Sequence, residues 1–298
     1  MTRCLLALFF IVPLLSLAVD VCAAGQTARK IGQWRVFLFS DGEGARDPSF
    51  LVGASPELVQ KYLPTGDYPT AMRYFLVRGD GKTVLIDTGL GKSLLRQLQD
   101  VGVKVEDIDA VLLTHMHRDH IGGLLTADAA ALPRATIYLA EKEKAYWSDP
   151  QMMARAGADK KDSFLLAQKV FTAYGGRVKT FSPGQLETGG VAILPGITAI
   201  AAYGHTPGHS MFLLKDGDKE LLFWGDLTHA MAIQMPVPTV AMVYDLDRQE
   251  AVATRLKVLQ YVSGRKLPVA GAHIPGPSIG AVRAAGGGYV FTPDDGKQ

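Results

Sequence analysis

Short apolar runs bounded by Gly and Asp recur along the chain, and longer helical stretches separate them. Residues 34–40 (Trp-Arg-Val-Phe-Leu-Phe-Ser) are rich in β-formers and run into Asp41-Gly42, which reads as a turn. Residues 43–70 hold many Gly and Pro with little periodicity, which predicts a long surface loop of a kind often used for function. Residues 74–77 and 83–87 flank Gly79-Asp80-Gly81 and predict a hairpin. Leu94, Leu95 and Leu98 share one face of a helix predicted over 92–102. Ala110 to Leu113 is apolar throughout, as a buried strand is, and residues 135–139 read as another strand. Residues 141–175 are helical in pattern, with a break at Asp149-Pro150.

The second half repeats the scheme. A strand is predicted over 197–203, then a hairpin with arms 211–214 and 220–224 around Asp216-Gly217-Asp218. A helix over 248–262 and a strand over 268–272 follow. Hairpins followed by helix and strand in each half predict two similar halves facing each other in one α/β domain. No linker or shift in composition divides them, so residues 25–298 are read as a single domain.

The first 24 residues stand apart. Arg3 precedes an apolar run from Cys4 to Val19, broken by Pro13, and Val21-Cys22-Ala23-Ala24 supplies small residues for cleavage near Ala24. This is the pattern of a secretory signal peptide, and it predicts a periplasmic or secreted protein. The run is short against the ~20 residues of a membrane span, so no stable membrane insertion is expected after cleavage. Both cysteines, Cys4 and Cys22, leave with that segment, so the mature chain has no disulfide, thiolate ligand or cysteine nucleophile. Formal net charge is +2 and no Lys/Arg run occurs, which speaks against a nucleic-acid partner.

All seven histidines lie between positions 115 and 273, each at or just past the end of a predicted strand. Strand ends are where ligand sites gather in α/β sheets. The densest group is His115-x-His117-x-Asp119-His120. In extended backbone, side chains two apart point the same way. His115 and His117 can therefore grip one metal ion, while Asp119 and His120, pointing elsewhere, can grip a second. Imidazole and carboxylate suit Zn, Fe, Co or Mn.

With these residues on the page, the chain resembles the metallo-β-lactamase fold superfamily. The likeness rests on Asp87-Thr88-Gly89, the His115–His120 motif, Gly204-His205-Thr206-Pro207-Gly208-His209, Trp224-Gly225-Asp226 and Ala272-His273, in that order. It implies a four-layer αββα sandwich with a dinuclear metal site between the sheets. It further implies that His115, His117 and His205 hold one ion, that Asp119, His120 and His273 hold the other, and that Asp226 bridges them. Two divalent ions are expected, zinc first, with Mn, Fe or Co as alternatives. Asp87 would orient a ligand loop by hydrogen bonding, and His209 would be structural rather than a ligand.

Within the superfamily the chain is similar to the methyl parathion hydrolase and lactonase-like branch. That likeness adds residues 225–234 and the tail from Gly280 through Arg283 to Gly288-Tyr289. It implies a hydroxide shared by two metals as nucleophile. An ester or lactone leads as substrate, a phosphotriester comes next and a β-lactam third. Asp119, Asp226 and His229 are the candidate catalytic residues, with His229 standing where some relatives carry a substrate-touching Tyr. Trp147 matches a pocket aromatic of the branch, and Phe50 and Leu51 of the 43–70 loop are candidate substrate contacts. An apolar wall of this kind favours uncharged aryl or acyl groups on a small-molecule substrate. A homodimer is allowed, and a non-catalytic metal-binding module is disfavoured by the complete ligand set.

Overall fold

The computed structural model describes residues 28–294, so the expected export signal at 1–24 lies outside the described residues. Two seven-stranded sheets form the centre of the molecule. In spatial order the first runs Arg29–Ile31, Trp34–Arg46, Tyr68–Gly79, Lys82–Ile86, Ala110–Leu112, Thr136–Ala140 and Val178–Phe181. The second runs Val191–Leu194, Ile197–Ala201, Ser210–Asp216, Lys219–Phe223, Val269–Ala270, Ile279–Ala285 and Gly288–Pro293. Most neighbours are antiparallel, but the first sheet contains three parallel pairs and the second contains one, and parallel pairs need crossover connections.

Side chains alternate across each strand and build four layers. Val84 and Ile86 face inward to meet Leu221 and Phe223 of the other sheet, and Phe75 touches Phe223 at 5.1 Å between ring centroids. Leu85 points the other way, into a cluster with Leu94 and Leu98 of helix Leu94–Asp100 and Phe164 of helix Ala158–Tyr174. Leu222 likewise turns outward onto Val258, Leu259 and Val262 of helix Arg248–Arg265. The αββα sandwich expected from the resemblance is the observed architecture.

Three local expectations need correction. Asp41-Gly42 is a bulge inside one long strand, not a turn: pairing with Tyr68–Gly79 shifts register between Ser40 and Gly42 and continues to Arg46. Backbone pairing holds this stretch together although its composition lacks apolar alternation. The loop read over 43–70 therefore shrinks to about residues 47–67, and it contains helix Pro56–Tyr62, capped by Ser55. The C-terminal hairpin, Ile279–Ala285 and Gly288–Pro293, was not anticipated. Its glycines and exposed positions hide the strand pattern.

Candidate active site

The histidine-bearing loops all emerge from strand ends on one rim of the sandwich. His115 and His117 follow Ala110–Leu112, and the single helical turn Arg118–Ile121 carries Asp119 and His120. His205 and His209 precede Ser210–Asp216, Asp226 and His229 follow Lys219–Phe223, and His273 follows Val269–Ala270.

The side chains converge in two groups. His117 Nδ1 lies 3.0 Å from His115 Nε2 and 3.0 Å from His205 Nε2. Asp226 Oδ2 stands 3.5 Å from the first of these Nε2 atoms and 3.3 Å from the second. On its other side, Asp226 approaches His120 Nε2 at 3.1 Å and His273 Nε2 at 3.1 Å. Asp119 Oδ2 sits 3.8 Å from His120 Nε2 and 3.5 Å from His273 Nε2. The structure thus brings together all seven residues expected as ligands, with His115, His117 and His205 on one side of Asp226 and Asp119, His120 and His273 on the other. His229 adds to the second side, its Nε2 3.0 Å from Asp226 Oδ2 and its ring stacked on His273.

Hydrogen bonds decide which nitrogens are free. His273 donates Nδ1–H to the carbonyl of Ala71 at 2.7 Å. His120 gives its Nδ1–H to Asp87 at 2.7 Å, and His205 gives its own to Asp245 at 2.8 Å. His115 places Nδ1 3.0 Å from the hydroxyl of Thr114, which itself donates to Asp87. Each then aims an Nε2 lone pair inward. His120 Nε2 and Asp226 Oδ1 are buried with no hydrogen-bond partner among the described residues. Buried lone pairs packed against carboxylates fit cations, and an N/O donor set fits divalent transition metals. Burial alone would raise the Asp226 carboxyl, but the imidazoles of His120 and His273 hold it well below the usual range.

His209 is excluded from that set by the same test. Its Nδ1–H donates to the Ala202 carbonyl at 2.9 Å, and its Nε2 accepts the Asp226 backbone N–H at 3.0 Å. Both nitrogens are engaged, and burial, reinforced by His205, lowers its pKa to about 3. His209 positions Asp226 instead. Gly225 explains why the contact is possible: a side chain there would meet His209 Nε2 at 2.6 Å, and its φ of +55° disfavours any other residue. Asp87 has a φ of +58° and is held there by bonds from the Thr114 amide and hydroxyl and from His120.

Four functional-site residues were missed in the sequence. Glu143 is buried and accepts four hydrogen bonds: from Met116 N and Trp147 Nε1 on one oxygen, and from Thr206 Oγ1 and Gly208 N on the other. It clamps the His115–His117 segment to the His205–His209 loop. Burial pushes its carboxyl up, while those donors pull it down. Within Glu-Lys-Glu-Lys it looks like part of a solvated helix face. Asp245 holds His205 and also accepts the Met242 amide. Arg255, fully buried, donates to the carbonyls of Leu227, Pro238 and Val240 and so ties the His229 loop to helix Arg248–Arg265. Tyr244 packs against His229 at 5.0 Å between ring centroids, and its hydroxyl meets that of Tyr68 at 3.4 Å.

A cavity of about 400 Å³ opens over this cluster. Trp147, Phe164, Phe50 and Tyr244 supply its aromatic walls, and His117, Asp119, His229 and His273 line its floor. Trp147 packs on Phe164 and also meets His117 edge-on at 5.8 Å, so it is both core and wall. Leu51 does not line the cavity. It lies in the short strand Leu51–Val52 paired with Ala241–Met242 and packs into a satellite cluster with Leu63, Ile233 and Met242.

The profile of the Metallo-beta-lactamase superfamily matches residues 73–273, the span that holds every one of these ligand loops. The protein belongs to the metallo-β-lactamase superfamily. Among solved structures, hydrolase AbOPH of that superfamily aligns with a TM-score of 0.80 and 30% identity, covering 91% of this chain and 98% of that one. AidC, described as a dizinc quorum-quenching lactonase in complex with a product, aligns with a TM-score of 0.81 and 24% identity over 91% of this chain and 98% of its own. Ribonuclease Z of Methanopyrus kandleri is 45% identical over 73 residues, 23% of this chain and 25% of its own length. Ribonuclease TTHA0252 of Thermus thermophilus is 28% identical over 186 residues, 59% of this chain and 39% of its own. The chain thus spans only a quarter to two-fifths of these two curated relatives.

Proposed function

We propose that this superfamily member is an exported, metal-dependent hydrolase of a small-molecule carboxylic ester or lactone. The carrying observation is the pair of His/Asp donor groups gathered around Asp226 at the floor of a cavity sized for one small molecule. His115, His117 and His205 would hold one ion and Asp119, His120 and His273 the other, with Asp226 between. Such a pair supplies Lewis-acid polarisation and a water acidic enough to act near neutral pH.

The chain's own residues do the rest. Asp245, Asp87, Thr114 and the Ala71 carbonyl fix the ring orientation of four ligands, so the donors need no rearrangement during turnover. Asp119, at the cavity floor with a side chain 26% exposed, would take a proton from the incoming water. His229 presents its Nε2 3.0 Å from Asp226 Oδ2, where an acyl or leaving oxygen would rest, and Tyr244 packs against its ring. Burial lowers His229 to about 4, so it enters as a neutral imidazole. Hydrolysis places the water oxygen on the acyl carbon and a proton on the departing oxygen. Trp147 and Phe164 exclude water from one side and pack the substrate's apolar part.

AbOPH, alike over 98% of its own length, supports a hydrolase reading. The ribonuclease relatives match only part of their own length, and a phosphotriester remains the second substrate class to test. The test is a panel of lactones, aryl esters, organophosphates and β-lactams on purified protein, with metal content measured on the same sample. Ester or lactone turnover that requires bound metal supports the proposal. Turnover confined to RNA or β-lactams refutes it.

A further inference from the structure

The cavity lining contains three cations: Arg46, Arg118 and Lys160. They come from separate elements. Arg46 ends strand Trp34–Arg46, Arg118 opens the helical turn after His117, and Lys160 lies in the first turn of helix Ala158–Tyr174. All three are exposed. None pairs with an acidic side chain among the described residues, whereas Lys169, Lys257 and Arg265 elsewhere each hold a carboxylate within 2.9 Å. The acids in the lining are Asp119 and Asp226, both turned to the histidine groups. Asp47, next to Arg46, is occupied with the Ser49 amide.

A solvated rim of basic side chains is common, and a single Arg there would mean little. Three around one opening, beside low-dielectric aromatic walls, focus a positive potential into it. Two divalent ions at the floor would more than neutralise the two lining carboxylates and leave that excess standing.

We propose that the cavity takes a substrate with an apolar body and an anionic end: the body lies against Trp147 and Phe164, and the anion is held at the mouth by Arg46, Arg118 and Lys160. This inference deepens the reading of the site as a small-molecule ester or lactone hydrolase and rests on it. It also changes what the aromatic wall alone implies, an uncharged aryl or acyl substrate. Arg supplies a forked donor that fits a carboxylate, and Lys a point charge.

Binding tests it without turnover. The full metal-loaded protein is titrated with two fluorescent probes that differ by one charge, 8-anilinonaphthalene-1-sulfonate and uncharged N-phenyl-1-naphthylamine. An exposed ion pair is worth up to about fivefold in affinity, so three converging on one anion predict a preference of about tenfold or more for the sulfonate. The triple variant Arg46→Gln/Arg118→Gln/Lys160→Gln, changed only at exposed side chains, should lose that preference while binding the neutral probe within about twofold of the parent. Salt should weaken the sulfonate alone. Equal binding of both probes by the parent protein overturns the proposal, as does a preference that survives in the triple variant. Displacement of the probe by a short single-stranded RNA at lower concentration than by a carboxylate overturns it in favour of a nucleic-acid site. A matched pair of substrates, an aryl butyrate and the aryl half-ester of adipic acid, separates the two readings. If neither ester is cleaved while the charge preference holds, the ester reading fails and the anion site stands.

Discussion

The floor and the mouth of the cavity are built in opposite ways. At the floor, His205, His120 and His273 each spend one ring nitrogen on a fixed acceptor and point the other inward. His209 and Glu143 then lock the loops that carry them. At the mouth, Phe50 and the segment to residue 67 lean on a satellite cluster and a two-residue strand pair, and the cations there hold no acidic partner among the described residues. The difference teaches that reactivity resides where hydrogen bonds leave no rotational freedom. Selectivity resides where side chains are free to meet a ligand.

Breaking the floor should have the largest effect. His205→Ala removes a donor from the first group and should cost more than about a thousandfold in kcat/KM together with bound metal, read by kinetics and elemental analysis. His209→Ala, four residues on, should retain most of the metal, because it removes only the support beneath Asp226. Equal metal loss in both variants would falsify the distinction drawn from their hydrogen bonds.

Glu143→Ala strikes the clamp rather than a donor. It leaves the Met116 and Gly208 amides, the Trp147 indole and the Thr206 hydroxyl without their shared acceptor. We expect about 3 kcal/mol of lost stability in denaturant unfolding of the metal-loaded protein. A change under about 1 kcal/mol would show that the two ligand loops hold together without it.

His229→Ala lies between floor and mouth. If it touches the reacting oxygen, kcat should fall about tenfold to a hundredfold with KM nearly constant. A parallel rise in KM would mark it as a packing residue. The smallest effect is expected at the wall: Trp147→Leu should raise KM for aryl esters a few fold and leave kcat in place, the sign of lost uniform binding. A kcat collapse there would instead mean that the indole's bond to Glu143 dominates.

The same contrast governs how much of the molecule is legible in its sequence. Ligand residues announce themselves because coordination demands particular side chains at short spacing, as in His115 to His120, and because strand ends predict where they meet. The bracing residues do not. Glu143 belongs to a charge run, and Asp245 sits in Tyr-Asp-Leu-Asp, which reads as a turn. Each acquires its role through partners distant in sequence, such as His205, 40 residues from Asp245, and Thr206, 63 residues from Glu143. The strand through Gly42 to Arg46 is set by pairing with Tyr68–Gly79 rather than by its own residues. Leu51 was misplaced for a related reason. Its apolar side chain serves a satellite core that only the fold brings together.

The central claim is that Asp226 joins two cation-binding groups into one centre. Metal content per chain, measured by mass spectrometry on wild type and Asp226→Ala purified identically, tests it most directly. The account predicts about two divalent ions in the wild type and at most one in the variant, with hydrolytic activity lost. Two ions retained in Asp226→Ala with activity intact would contradict it.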